Sequence, residues 1–325
     1  MKPHLFACAL LTLQLPAAQS IPAPAPATSG PYAPQAIVAG GIVIPLYPPD
    51  SPFLKKERIA EAEVYNMQQS VPGRIQSIVN IHNPSIEIHP VDKGINTGAL
   101  LILVPGGGHN TLNVGSEGAD FVHFFYNYGV NTAILRNRLR KDGYVAEVDA
   151  VRDAQQAIRV VRAHANELGV DPKKIGIVGF SAGAELAAPA AIAYDTPEAR
   201  PDFAGLIYPG PTPFTRDPKT PVPADAPPTF IACAGSGDAQ HAIWAEDYFH
   251  AFLAARVPNL EMHIYGNGVH GNGMKDRNGE PMGTWQDRFV DWFRDLGFLQ
   301  KPGIETKAAR DAAAYAAQRR NGPKS

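Results

Sequence analysis

The chain has 325 residues, 45% of them hydrophobic and 18% charged, which is the composition of an ordinary globular protein with enough length for a large core. Its 29 basic residues stand against 31 acidic ones, so no electrostatic footprint points to nucleic acid or to an anionic membrane. One large domain or two modest ones fit this length, and small neutral substrates stay open.

The first twenty residues, "MKPHLFACALLTLQLPAAQS", combine a basic start at Lys2, an apolar stretch from Leu5 to Leu15 and small residues Ala18 and Ser20 before the break. That is the pattern of a secretory signal, and the apolar stretch is short of the roughly 20 residues that span a bilayer. The mature chain is expected to start near Ile21, secreted or periplasmic, with no membrane span left. Loss of Cys8 leaves Cys233 alone, so no intrachain disulfide is expected; in the apolar run "TFIACAG" it reads as core packing. Residues 21–35, beginning "IPAPAPATSGPYAP", read as an extended Pro/Ala-rich linker. A single domain is expected over 36–300, with no internal repeat, and residues 301–325 form a basic, Ala-rich tail that reads as solvated.

Within the domain, strand-like runs alternate with helical ones. "SIVNI" and "SIEIHPV" are expected to pair as a short N-terminal hairpin. "ALLILV", "NTAIL", "IGIVG", "FAGLIY", "TFIACA" and "LEMHIY" read as later strands, several apolar throughout, as when both faces of a sheet are covered. Ser116 is placed to cap a helix through "EGADFVHFFYNYG". From Tyr144 to Leu168, Val148, Val151, Ile158, Val161, Ala165 and Leu168 recur at helical spacing; further helices are expected from about Asp238 to Ala255 and around Trp285, Phe289, Phe293 and Leu296. This alternation predicts an α/β fold with a mostly parallel sheet and helices on both faces. Ligands in such sheets bind at the carboxyl ends of the strands.

Four strand ends carry loops of one character: "PGGGHN", "GFSAG", "AGSGD" and "GNGVHG". "GFSAG" follows a strand and opens the Ala-rich helix "SAGAELAAPAAIA", the context in which a sharp turn exposes a serine hydroxyl; Gly179 and Gly183 remove side chains that would clash there. The alternative is a capping serine with packing glycines. A serine nucleophile needs a base. His82 and His89 fall in the hairpin, His123 and His164 on helices, His241 and His250 on or near a later helix, and His263 inside a strand; His270, in a Gly-rich loop after the last strand, is preferred, with His109 as its rival. Asp238, after "TFIACA", supplies the acid that orients the imidazole, unless it only caps the following helix; Asp247 is less well placed. Amides of the three glycines after Pro105, with that of Ala182, are candidate donors to an oxyanion. No G-K-[ST] follows those glycines, and the G-x-G-x-x-G match in "GNGVHG" is followed by no helix, so neither reads as a nucleotide site. No metal-ligand spacing appears, and no cofactor is expected.

Taken together, "PGGGHN", "DAQQAIRVVRAHANELGVDPKKIGIVGFSAG", "GSGD" and "VHGNGM" followed by "WQDRFVDWF" resemble the α/β-hydrolase esterases, from about Pro45 to Leu299, and within them the secreted acetyl-xylan-esterase-like branch related to the hormone-sensitive-lipase group. The resemblance implies Ser181 as nucleophile, Asp238 as acid, His270 as base and an oxyanion hole of Gly107, Gly108 and Ala182, with His109 and Asn110 near the substrate. Relatives often carry histidine where Pro105 stands and an aromatic where His109 stands. The polar, Pro-rich segment "GPTPFTRDPKTPVPADAPP" reads as a short rim. The activity expected is hydrolysis of short-acyl esters, acetyl above all, of plant cell-wall carbohydrate, the substrate being a small molecule or an oligosaccharide. A general short-chain carboxylesterase and an inactive carbohydrate-binding relative are the alternatives.

Overall fold

The computed structural model describes residues 30–274 and 279–321. The expected signal segment lies outside them. The strands are β1 (Ile42–Pro45), β2 (Val64–Met67), β3 (Ile75–Val79), β4 (Ser85–His89), β5 (Leu100–Val104), β6 (Asn131–Arg136), β7 (Ile175–Phe180), β8 (Ala204–Ile207), β9 (Thr229–Ser236) and β10 (Glu261–Asn267). The helices are α1 (Asp120–Tyr126), α2 (Val151–Ala163), α3 (Ala165–Leu168), α4 (Ala184–Ile192), α5 (Pro213–Arg216), α6 (Ala239–Ala254), α7 (Trp285–Leu296) and α8 (Lys307–Asn321).

Eight strands form one sheet in the order β1-β4-β6-β5-β7-β8-β9-β10, parallel from β6 to β10 and antiparallel at β1 and β4. All five residues of β5 are buried: Leu100, Ile102 and Val104 pack into one core cluster with α2, α4 and α6, while Leu101 and Leu103 pack into the other with α1 and α7. Two covered faces explain why the sequence shows runs of apolar residues instead of alternation. From β5 the chain passes to β6 on one side and then to β7 on the other, so the carboxyl ends of β5 and β7 flank the point where the winding reverses.

The expected hairpin does not form. β3 pairs with β2 in a separate two-stranded sheet, and β4 lies between β1 and β6. The first four residues of β4 are buried on both faces, so it takes an interior position with partners on both edges; the link turns away at Asn80, at φ 62°. Ser116 makes no cap: it sits in a wide turn over Gly115–Ala119 that carries Glu117 inward. The long helical stretch is broken into a π-type turn (Ala146–Ala150), α2 and α3, and that wide turn moves Val148 off the apolar face, 50% exposed.

Both ends of the described residues are more tied down than their composition suggests. Tyr32 N–H donates to Ile59 O (2.7 Å), and the amides of Ile37 and Val38 donate to the Glu87 carboxylate (2.6 and 2.9 Å). The expectation of a solvated tail is corrected: α8 buries Ala308 and Tyr315, whose hydroxyl donates to Ala255 O (3.0 Å). Alanines allow that helix to lie close to the core, a contact no periodic apolar stripe announces.

Candidate active site

The turn after β7 is held by close backbone packing. Ser181 sits at φ 51°, a left-handed conformation costly for a side chain with a Cβ. A Cβ on Gly183 would lie 2.0 Å from Val104 O, and one on Gly179 would lie 2.4 Å from Gly183 O, so only glycine lets the turn press against the end of β5. Ser181 therefore projects at the switch point while its neighbours are buried. His109 (φ 59°) and Tyr208 (φ 39°), at or just beyond neighbouring strand ends, share the strained backbone class.

Ser181 Oγ lies 2.8 Å from His270 Nε2, and His270 Nδ1–H donates to Asp238 Oδ2 at 2.9 Å. The three residues come from the ends of β7, β10 and β9, so the structure brings together the serine, histidine and aspartate singled out in the sequence. Asp238 occupies the N-terminal flank of α6 without capping it; its carboxylate turns to the rings. His109, the rival base, faces elsewhere: its ring is buried with Nε2 3.6 Å from Glu185 Oε2, and Glu185 is also held by Arg216 at 2.9 Å. Asn110 is exposed beside it. Asp247 accepts from the Thr215 hydroxyl (2.7 Å), inside the rim. That rim is anchored by Phe214, buried against Tyr248 and Phe252.

The glycine loop after β5 is shaped by positive φ at Gly107 (127°) and Gly108 (62°). Among the described residues, neither of their N–H groups has a protein acceptor, and the Ala182 N–H, in the first turn after β7, has no intrahelical partner. Gly106 N–H is instead committed, donating to Glu117 Oε2 at 2.7 Å. The other oxygen of Glu117 accepts the Tyr208 hydroxyl (2.8 Å), which in turn accepts Gly273 N–H at 3.0 Å. One buried carboxylate thus joins the glycine loop to the loop carrying His270, and the Tyr208 ring stands edge-on to His270, centroids 5.2 Å apart. Burial pushes the Glu117 carboxyl up, and burial with the adjacent Glu117 pushes the Tyr208 phenol well up.

Sequence reasoning missed His241. Its Nδ1 lies 2.6 Å from Asp238 Oδ1, and its ring stacks on His270 with centroids 3.8 Å apart and planes at 20°. The readable signal was D-A-Q-H at the start of a helix, since positions i and i+3 share a face. Asp238, His241 and His270 gather one carboxylate and two imidazoles within 4.8 Å. Both Nδ1 atoms face carboxylate oxygens at hydrogen-bond distance, the pattern of shared protons, not of ligands around one central ion. Cys233 is buried below the site, its thiol pushed up to about 12 by burial, as expected of a packing residue.

A mostly parallel sheet with helices on both faces, a strained serine at its switch point and an acid and histidine on later strand ends define the α/β-hydrolase fold, and this protein has it. Residues 87–204 match the BD-FAE family model. The chain is 32% identical over 150 residues to an acetylxylan esterase of Xylanibacter ruminicola, covering 46% of this chain and 28% of that protein. It is 26% identical over 172 residues to endo-1,4-beta-xylanase B of Butyrivibrio fibrisolvens, covering 47% and 24%. The chain thus spans about a quarter of the length of these relatives. Among solved structures it is similar to the acetyl ester-xyloside bifunctional hydrolase of Caldicellulosiruptor lactoaceticus, with TM-score 0.60 and 23% identity over 81% of this chain and 99% of that one. The propionate-bound esterase Est2 of Thermogutta terrifontis gives TM-score 0.58 and 21% identity over 69% and 93%. The resemblance read from the motifs, to acetyl-xylan-esterase-like α/β-hydrolases, is borne out.

Proposed function

We propose that this protein is a serine carboxylic-ester hydrolase that removes short acyl groups, acetyl above all, from plant cell-wall carbohydrate. The observation that carries the reading is the relay from Ser181 Oγ through the His270 ring to Asp238, 2.8 and 2.9 Å, at the switch point of the sheet. Ser181 Oγ attacks the ester carbonyl as His270 Nε2 takes its proton, and Asp238 holds the ring with Nδ1–H inward and offsets the imidazolium charge. Unpaired amides of Gly107, Gly108 and Ala182 receive the oxyanion, each worth about 3 kcal/mol in the transition state. The alcohol departs with the proton from His270; water then enters, gives a proton to His270 as its oxygen adds to the acyl carbon, and His270 returns that proton to Ser181 Oγ as the bond to the acyl group breaks and the acid leaves.

The acetyl and carbohydrate parts of the reading rest on similarity to the acetylxylan esterase and on the rim, polar and anchored by Phe214, where Arg216 pairs with Glu185, which also faces His109. We also propose export, from the N-terminal pattern of residues 1–20; among the described residues no helix is long and apolar enough to cross a membrane. The test is a panel of acetyl, butyryl and feruloyl esters beside acetylated xylo-oligosaccharides. Acetyl release from the oligosaccharides at the highest kcat/KM is expected. Preference for a small acetyl ester with no action on the oligosaccharides would make it a general carboxylesterase, and no turnover of any ester would leave only the binding relative.

A further inference from the structure

Asp238 spends its two oxygens on two imidazoles. Oδ2 takes the proton of His270 and Oδ1 that of His241, at 2.9 and 2.6 Å, while the two rings lie face to face at 3.8 Å. The proposed ester hydrolysis needs the first ring and assigns nothing to the second. His241 is held where it is: it follows Asp238 by three residues in the first turn of α6, and the Trp244 and His241 rings meet edge-to-face with centroids 5.0 Å apart. The groups facing it are Asp238 from the start of its own helix, His270 from the loop after β10 and Glu185 from α4.

We propose that His241 is a positioning residue for Asp238 and a second proton-sensitive element of the site: neutral, it fixes the carboxylate by donating Nδ1–H; protonated, it opposes the charge that forms on His270. This rests on the reading of Ser181, His270 and Asp238 as the reacting set. When His270 takes the serine proton it becomes an imidazolium. A neutral ring stacked on it leaves Asp238 free to offset that charge, whereas a cation at the same distance repels it and draws on the same carboxylate. The sign follows from the surroundings: burial, and next the neighbouring His270, hold the His241 proton affinity below the ordinary histidine range, so the ring is neutral at neutral pH and charges only as the medium turns acid. We expect activity to be lost in acid in two proton steps, because both rings must be neutral for the relay to work.

The test uses the full chain, 4-nitrophenyl acetate as probe, and the variants His241→Phe, His241→Asn and Ser181→Ala across pH 4 to 9. Wild-type log(kcat/KM) is expected to fall with a limiting acid slope that steepens from 1 toward 2. Phe keeps the stacked ring but donates nothing: kcat at pH 8 is expected to drop about tenfold or more, the value of one hydrogen bond to a charged group, with KM little changed. Asn places an amide N–H where Nδ1–H stood and is expected to recover most of that loss, yet both variants show an acid slope of 1. A wild-type slope of 1 throughout, a slope of 2 kept in either variant, or a Phe variant with undiminished kcat overturns the inference. Ser181→Ala separates the two levels: its retaining activity sinks the underlying reading, whereas an inactive Ser181→Ala with unaltered His241 variants sinks this inference alone.

Discussion

Two buried carboxylates in this molecule are used in opposite ways. Asp153 is wholly buried and meets a permanent cation: Arg138 reaches it through Nε and Nη2 at 3.0 and 2.7 Å, the Arg138 backbone amide adds a bond at 3.0 Å, and the Tyr47 hydroxyl another at 3.0 Å. Remaining donors of Arg138 end on Phe53 O, Asp149 O and Asp149 Oδ1 at 2.6, 3.0 and 3.4 Å. Asp238 is almost as buried, 8% exposed, but its partners are two imidazoles whose charge changes with protonation. A charge answered by a fixed charge secures the segment just after β6 against α2. One answered by titratable rings leaves a proton able to move, which is what the proposed acyl transfer needs.

The contrast is open to direct attack. The largest effect is expected where the relay begins: Ser181→Ala should lower kcat by at least about 10,000-fold with an unchanged circular dichroism spectrum, and ester hydrolysis near the wild-type rate would discard the assignment. Next come the two aspartates. Asp238→Asn is expected to cost up to about 10,000-fold in kcat, by presenting the wrong hydrogen-bond sense to the ring, with little shift in Tm. Asp153→Asn should do the reverse, losing about 3–5 kcal/mol of stability while the folded fraction keeps its kcat. Urea unfolding and kinetics on both proteins decide it; equal losses of stability would erase the distinction.

The glycines give a finer comparison. In Gly183→Ala the new Cβ would lie 2.0 Å from Val104 O, so the serine turn must move, and about 100-fold in kcat is expected to go with that displacement. Gly108→Ala meets nothing nearer than Asn110 Nδ2 at 3.6 Å, and only its φ of 62° is strained, so a cost of about 1 kcal/mol in stability and a smaller loss in kcat are expected. Rates that fall in the opposite order would show that backbone approach between β5 and β7 does not hold the serine.

Much of this was legible in the chain. Strands buried on both faces write themselves as apolar runs, and parallel winding puts their carboxyl ends on one edge, so Ser181, Asp238 and His270 could be singled out by the loops that carry them. Pairing was less legible: whether β3 joins β4 or β2 depends on contacts distant in sequence, and turn residues alone do not decide it. A helical position gives His241 no sequence signal of nearness to the strand ends, yet α6 starts only a short turn after β9. Glu117 left no motif at all; its role appears only when Gly106 and Tyr208 converge on it. The alanines of α8 give no stripe, so its docking through Ala308 and Tyr315 was invisible.

The most direct test of the central claim, that His270 makes Ser181 a nucleophile, is labelling by a fluorophosphonate followed by peptide mapping, in the wild type and in His270→Ala. The account predicts one equivalent of label on the peptide containing Ser181, and labelling slowed by at least about 1,000-fold in the variant. Label on another residue, or Ser181 labelled at the same rate without His270, would contradict it.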